Sequence, residues 1–362
     1  MRTLEKLTIK NFKSIREQTL ELDRLNIFIG ANGAGKSNLI QAFRFLREIQ
    51  QRNLATYSLE QGADSLLYFG RKTSKFTEFF LEFAENDLSN AYRIRLSPTT
   101  DGALVVNEET VYFHDRKQYQ TPYIDVISAG SKEAAVAISE NRVAGWVRND
   151  LATYQLYHFH DTSDAASVKA ACVLEDNRFL RPDASNLAAF LYYLEQKRPE
   201  HFRNIEDTIR QIAPFFERFT LEPSRLRPDR IRLEWKETGS DAYFNATSLS
   251  DGTLRFLCLA TLLLQPELPV LVLLDEPELG LHPAAITLLA DLLSSAATRT
   301  QVLVATQSVT LVNQFEPEQV WTVDREDNQS IFRRLITQNM NRWLDDYALG
   351  ELWEKNILGA RP

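Results

Sequence analysis

The stretch Gly30-Ala31-Asn32-Gly33-Ala34-Gly35-Lys36-Ser37 fits the phosphate-loop pattern G-x-x-x-x-G-K-S/T at every required position. Its flanks fix its context. Leu25, Ile27, Phe28 and Ile29 form a short apolar run, which predicts a buried strand. After the loop, Leu39, Ala42, Phe43, Leu46 and Ile49 recur at helical spacing. Gly30, Gly33 and Gly35 permit backbone conformations closed to residues with a Cβ, so the loop amides can turn inward around phosphate oxygens. The helix that follows adds roughly half a positive charge at its N-terminus. Lys36 is then expected at the β- and γ-phosphates of a nucleoside triphosphate and Ser37 on Mg²⁺, with Asn32, Ala34 and Asn38 completing the cradle. An ordinary turn before a core helix predicts neither Lys36 nor Ser37.

The chain of 362 residues has room for two or three domain-sized units or one elaborated domain. Its hydrophobic share of 44% and charged share of 25% are those of a soluble globular protein. No apolar run approaches the length of a membrane span, and Met1-Arg2-Thr3-Leu4-Glu5-Lys6 lacks the apolar core of a signal peptide. Two cysteines, Cys172 and Cys258, cannot make a disulfide framework, so a reducing cytoplasm is expected. The net charge of −8 argues against a generally basic protein that coats nucleic acid. It does not exclude a local basic groove. Arg225, Arg227, Arg230, Arg232 and Lys236 form the best basic cluster; a solvated strand face is its ordinary explanation, phosphate contacts the functional one. There is no internal repeat, no low-complexity segment and no heptad stretch of coiled-coil length.

Residues 4–29 read as strands, with Phe12-Lys13-Ser14 in a turn between two of them. Residues 76–125 hold short β-like runs punctuated by Asn86-Asp87, Ser97-Pro98 and Asp101-Gly102, which predicts an antiparallel sheet grafted onto the core. Helical periodicity is expected over 134–150 and 186–219, the latter broken by Pro199 and Pro214. A strand is expected at 154–159, and further strands at 226–244. Residues 254–264 are an almost continuous apolar run, too long for a typical strand and expected as a buried helix. Buried strands follow at 269–274 and 302–305, separated by a helix with Pro283 in its first turn; a hairpin closes the pattern at 320–336. The expectation is an α/β fold: a P-loop core with a mostly parallel sheet, an antiparallel β lobe and a helical lobe. The expected divisions are 1–150, 151–253, 254–340 and a tail over 341–362.

Two further stretches carry chemistry. Val270-Leu271-Val272-Leu273-Leu274-Asp275-Glu276 is a Walker B element: an apolar strand that ends in a carboxylate suited to Mg²⁺. Glu276 is the candidate for orienting and activating the attacking water. Ser248-Leu249-Ser250-Asp251-Gly252-Thr253 opens the buried helix. Ser250 and Asp251 would serve a plain N-cap as well as a second phosphate site.

That stretch resembles the signature motif of ABC-type ATPases, usually L-S-G-G-Q, keeping the Leu, Ser and second Gly as Leu249, Ser250 and Gly252. Glu276-Pro277-Glu278-Leu279-Gly280-Leu281-His282-Pro283 resembles the D-loop region in the form used by SMC-like, RecF-like and OLD-like ATPases rather than by transporter subunits. Thr306-Gln307-Ser308 stands where that class has its switch motif, with Gln307 in place of the usual His. Glutamine can hydrogen-bond a phosphate or water but does not titrate near neutrality. Tyr157-His158-Phe159-His160-Asp161-Thr162-Ser163 and the stretch 343–356 resemble stand-alone bacterial AAA/ABC-type ATPases related to the OLD and RecF groups.

This resemblance implies an ATPase head that dimerises around ATP, with Ser250, Asp251 and Gly252 of one protomer meeting the γ-phosphate held by Lys36 of the other. It implies Mg²⁺ on Ser37 and Asp275, a polar residue between lobes for which His160 is the candidate, and a basic residue near the nucleotide, Lys13. OLD-family nucleases carry a TOPRIM domain after this region, and the sequence leaves no room for one. A nuclease or toxin partner is therefore expected as a separate chain. DNA or effector engagement in anti-phage defence or genome maintenance is the leading expectation. A RecF-like repair loader and an ATP-bound scaffold with little hydrolysis are the alternatives.

Overall fold

The computed structural model describes residues 2–339, 343 and 346–360; of the closing stretch 343–356, Leu344 and Asp345 lie outside the described residues. Contacts divide the chain into two units. Unit 1 comprises Met1–Tyr154, Pro269–Leu273 and Gln301–Pro362; unit 2 comprises Gln155–Leu268 and Leu274–Thr300. The strands, in chain order, are β1 (Thr3–Phe12), β2 (Ile15–Glu21), β3 (Leu25–Ile29), β4 (Thr77–Glu85), β5 (Leu88–Pro98), β6 (Leu104–Asp115), β7 (Tyr123–Ser131), β8 (Tyr154–Tyr157), β9 (Cys172–Val173), β10 (Phe216–Phe219), β11 (Arg230–Ile231), β12 (Glu234–Glu237), β13 (Tyr243–Asn245), β14 (Leu271–Asp275), β15 (Gln301–Thr306), β16 (Val320–Glu326) and β17 (Gln329–Arg334).

Unit 1 holds two sheets. The first is antiparallel, in the order β2-β1-β4-β5-β6-β7. Leu7 and Ile9 alternate on its buried face, as expected of a half-buried strand. Leu4 lies three residues before Leu7, a spacing that would turn it to the other face. A register shift between Leu4 and Lys6 restores it to the core. The β lobe runs further than the sequence pattern suggested: β7 continues to Ser131, with Tyr123, Ile124 and Val126 exposed.

The second sheet has the order β17-β16-β3-β15-β14-β8. Strands β15 and β16 run parallel to β3. Every residue of β3 and β15 is buried, the polar Asn26 and Gln301 included, which fits their largely apolar sequences. The hairpin β16–β17 turns at Asp327-Asn328, whose φ values of 46° and 62° suit a tight two-residue turn. The P-loop helix, Lys36–Gln50, buries Leu39, Ala42, Phe43, Leu46 and Ile49. Beyond it lie the short helices Leu54–Gln61 and Ala63–Leu66.

Unit 2 is built on helices Leu187–Lys197, Pro199–Ile212, Asp251–Leu264 and Pro283–Ala297. Pro199 and Pro283 each sit in a first turn, where a missing N–H costs nothing. The helical expectation over 186–219 fails at its end. Pro214 closes the helix, and Phe216 and Phe219 turn into strand β10, their rings 4.8 Å apart against Trp235 of β12. The expected break at 253 falls inside unit 2, because the helix Asp251–Leu264 is bonded to residues on both sides of it, as described next.

Candidate functional site

In unit 1 the P-loop leaves β3 at Gly30 and enters its helix at Lys36. Its back is pressed against the β16–β17 hairpin. A Cβ on Gly30 would lie 2.3 Å from the Val323 carbonyl oxygen, and one on Gly35, where φ is 124°, would lie 2.0 Å from Ser330 Oγ. Only glycine fits there. A directed chain of hydrogen bonds fixes the loop: Asn38 Nδ2 donates to Ser14 Oγ (2.6 Å), Ser14 Oγ meets Ser330 Oγ (2.6 Å), and Ser330 Oγ donates to the Ala34 carbonyl (2.5 Å). Each hydroxyl has one proton, so the final donation to Ala34 sets the direction of the whole chain.

The front of the loop is open. Asn32, Gly33 and Ser37 are exposed, Asn38 is half-buried, and Ala34, Gly35 and Lys36 are buried. Lys36 folds back over the loop, donating to the carbonyls of Gly30 and Ala31. Gly35 caps the helix with no side-chain hydrogen bond, and no acidic residue stands in the first turn. The loop therefore sets an uncapped helix end and an ammonium group on one short segment, both groups that favour phosphate. Thr306 of β15 pairs with Ile29 of β3, which sets half-buried Gln307 level with Gly30 at the strand ends.

Beside Ser14 and Asn38 opens a pocket of about 770 Å³, lined also by Lys13, Asp64, Phe69, Arg71 and Arg325. Lys13 has φ 52° and donates its backbone N–H to the Leu66 carbonyl (2.9 Å). Burial lowers the pKa of its ammonium group. The sequence-predicted Lys13 thus stands in a cavity adjoining the loop.

In unit 2 the Walker B strand ends at half-buried Asp275 and Glu276. Glu276 has φ 44°, an unusual conformation for a residue with a Cβ and the kind of strain that gathers at functional sites. His160 Nε2 lies 2.9 Å from the Asp275 carbonyl oxygen, so this ring nitrogen is engaged with the backbone and only Nδ1 is left to face a metal. Ser250 is the N-cap of the helix Asp251–Leu264: its Oγ accepts from Thr253 N (3.2 Å). Ser250 and Asp251 are exposed. Gly252 is demanded by packing, since a Cβ there would lie 2.6 Å from the Gly280 carbonyl oxygen of the D-loop.

One residue central to this unit escaped the sequence reading. Arg255 is buried within the apolar helix, and its guanidinium donates to three backbone carbonyls: Phe159 (3.0 Å), His160 (3.1 Å) and Leu279. Burial lowers its pKa. It ties the signature helix, the segment carrying His160 and the D-loop together. The available signal was a single arginine in an otherwise apolar run, where an unpaired charge cannot be tolerated.

A family model described as "AAA domain, putative AbiEii toxin, Type IV TA system" matches residues 25–313. The chain belongs to that family. Its curated relatives place it in the SMC-, RecF- and OLD-like group of AAA ATPases. It is 31% identical over 118 residues to the chromosome partition protein Smc of Methanocaldococcus jannaschii, covering 30% of this chain and 10% of that protein. It is 36% identical over 70 residues to the DNA replication and repair protein RecF of Acidothermus cellulolyticus, covering 18% and 19%. It is 34% identical over 84 residues to endonuclease GajA of Bacillus cereus, covering 23% and 13%. The chain thus spans only 10% to 19% of the length of these relatives.

Among solved structures, an Smc head bound to the C-winged helix domain of ScpA superimposes with a TM-score of 0.63 at 18% identity, covering 94% of this chain and 99% of that one. An Smc head with an extended coiled coil, bound to the C-terminal domain of ScpA from Pyrococcus furiosus, gives 0.59 at 18% identity over 96% and 99%. At such identity the likeness is one of fold: the chain has the α/β fold of an SMC head. Family membership brings nucleotide binding with it. Among the described residues, no helix is long and apolar enough to cross a membrane.

Proposed function

We propose that the chain hydrolyses ATP as a nucleotide-sandwich dimer and couples its nucleotide state to DNA or to an effector protein, in anti-phage defence or genome maintenance. The observation that carries this reading is the P-loop. Lys36 lies over the loop beside an uncapped helix end, and Ser330 and Ser14 hold the loop from behind. The Ser37 hydroxyl and the Asp275 carboxylate are each oxygen donors of the kind that Mg²⁺ takes, a hard cation that keeps water and phosphate oxygens as its other ligands. Mg²⁺ so held would neutralise charge on the β- and γ-phosphates.

Each residue then has a role. Lys36 and the loop amides bind the β- and γ-phosphates. Glu276 orients a water and accepts its proton as the water oxygen bonds to the γ-phosphorus and the bond to the β,γ-bridging oxygen breaks. Gln307 hydrogen-bonds the γ-phosphate or that water. Lys13 approaches the nucleotide from the adjoining pocket. Ser250, Asp251 and Gly252 of a second copy close the site; the exposure of Ser250 and Asp251 supports that role. His160 supports the Asp275 end of Walker B.

The test is turnover and association together. Glu276→Gln is expected to cut ATP turnover by about 10² to 10³-fold and to accumulate as an ATP-bound dimer in size-exclusion chromatography with light scattering. A variant that stays monomeric with ATP and Mg²⁺ would overturn the sandwich. The relatives support two settings: GajA, an endonuclease, suits a separate nuclease or toxin partner in defence, and RecF suits repair. Stimulation by gapped or junction DNA alone favours the repair loader. A wild type with no turnover under any DNA or partner condition leaves a scaffold that uses ATP only to assemble.

A further inference from the structure

Unit 2 holds a second open pocket, of about 700 Å³, lined by Arg225, Arg227, Arg230, Arg232, Glu234 and Tyr243 among others. Its rim is a loop folded tightly on itself. Ser224 N donates to the Arg230 carbonyl (2.8 Å), Arg230 N to the Arg227 carbonyl (2.9 Å), and Arg227 N to Ser224 Oγ (3.3 Å). The loop is anchored below by the pairing of Arg230 with Val173 and of Ile231 with Cys172. Its arginines are therefore held out on a fixed frame.

Their charges are unspent. Arg230 lies 3.7 Å from Asp229, but the guanidinium groups of Arg225, Arg227 and Arg232 make no ion pair or hydrogen bond with any described residue. The acidic residues facing them are Glu222 and Glu234, fewer than the arginines of the pocket. In a chain of net charge −8, such a concentration of unpaired arginine attracts a polyanion only locally. Tyr243, 62% exposed, adds an aromatic face, with Lys236 Nζ 4.6 Å from its ring centroid. Arginine with an exposed aromatic ring is the combination that grips a nucleic-acid strand: phosphates on the guanidinium groups, a base on the ring. The wall of the pocket also leads to the signature, since β13 passes through the turn Ala246–Ser248 directly into Ser250.

We propose that this arginine pocket binds the phosphodiester backbone of single-stranded nucleic acid, with Arg225, Arg227 and Arg232 as phosphate ligands and Tyr243 as a stacking platform. It rests on the reading that the head engages DNA and names the surface that does so. The probe is a fluorescently labelled single-stranded DNA oligonucleotide, titrated by anisotropy against the full chain without ATP, over a range of salt. Three phosphate contacts contribute about −2 to the slope of log K against log salt.

The triple variant R225A/R227A/R232A should lose that slope and bind about 100-fold more weakly at about 0.1 M salt. The triple lysine variant should keep the slope. Thermal melting and ATP binding should be unchanged in both, since all three residues are exposed and none lies in the P-loop. If the wild type binds no oligonucleotide, the reading that the head engages DNA falls with the pocket. If the alanine variant binds with unaltered slope, the pocket falls alone. A poly-glutamate peptide that displaces the oligonucleotide at equal charge, or inorganic phosphate that does so at equal phosphate concentration, would also overturn it.

Discussion

The P-loop in unit 1 and the signature region in unit 2 are both helix N-termini proposed to meet phosphate, yet they are held in opposite ways. The P-loop is fixed from outside its own segment by hydroxyl groups, Ser14 and Ser330, and by glycines that let it lie on the β16–β17 hairpin. Its helix end carries no cap. The signature helix is capped by its own Ser250 and Thr253 and is fixed by a buried cation, Arg255, on three carbonyls. The first arrangement leaves donors free for a ligand. The second uses donors to join three segments into one body. The difference teaches that the P-loop is a binding surface in its own right, whereas the signature region is first a structural junction and presents its Ser250 face as a consequence.

The largest expected effect falls on that junction. Arg255→Met keeps much of the apolar stem but leaves the carbonyls of Phe159, His160 and Leu279 without their donor. Bonds to charged groups contribute about 1.5–3 kcal/mol each, and losses within one network do not add, so we expect a loss of about 2–4 kcal/mol in urea or thermal unfolding. ATP turnover should fall at least tenfold, because Glu276 and the D-loop lose their frame, while ATP affinity at the P-loop stays within about twofold. An equal loss of affinity would break the comparison, for it would mean that the two regions are not independently held.

A pair of glycine substitutions gives a smaller effect and sharpens the same contrast. Gly252→Ala drives a Cβ to 2.6 Å from the Gly280 carbonyl oxygen and should cost about 1–3 kcal/mol of stability by overpacking. Gly33→Ala meets nothing within 4 Å, and its only penalty is a φ of 79°. Its stability cost should be about 1 kcal/mol, with the main change in ATP affinity, measured by titration of a fluorescent nucleotide. Equal stability losses in the two variants would show that the loop, like the signature, is a packed junction.

How much of this was legible in the sequence follows from the same physics. The P-loop, Walker B and signature are contiguous, and each announces its local backbone, so their strand, loop and helix settings could be read directly. The alternation of Ile231, Leu233 and Trp235 with Arg232, Glu234 and Lys236, and the apolar run within β15, likewise marked which residues are buried. The brace of Ser14 on Ser330 joins residues 316 positions apart, and neither serine differs locally from a solvated one. The pocket around Lys13 draws on residues near 64–72 and 325, which no periodicity brings together. Arg255 was visible as a lone charge in an apolar helix, but its three partners are carbonyls, which every residue possesses and no sequence marks. Strand β10 was hidden because Phe216 and Phe219 also fit a helical spacing, and only the aromatic cluster with Trp235 decides between them.

The smallest expected effect concerns Gln307, level with Gly30 at the end of β15. A glutamine there hydrogen-bonds without titrating, so it contributes no limb to the pH dependence of turnover between about pH 6 and about pH 8. Gln307→His should add one, with an apparent pKa near about 6.5 moved upward by the nearby γ-phosphate charge, which favours the imidazolium. Above that pKa the neutral ring can accept a proton from water and turnover should rise; below it the ring is already protonated and turnover should fall, by a few-fold across the limb. Stability should be unaffected, because the side chain is only half-buried. Superimposable pH–rate profiles for the two proteins would mean that residue 307 does not face the reacting phosphate. The P-loop would then act without a switch residue from its own unit, and the contrast with the signature region would rest on Lys36 and the helix end alone.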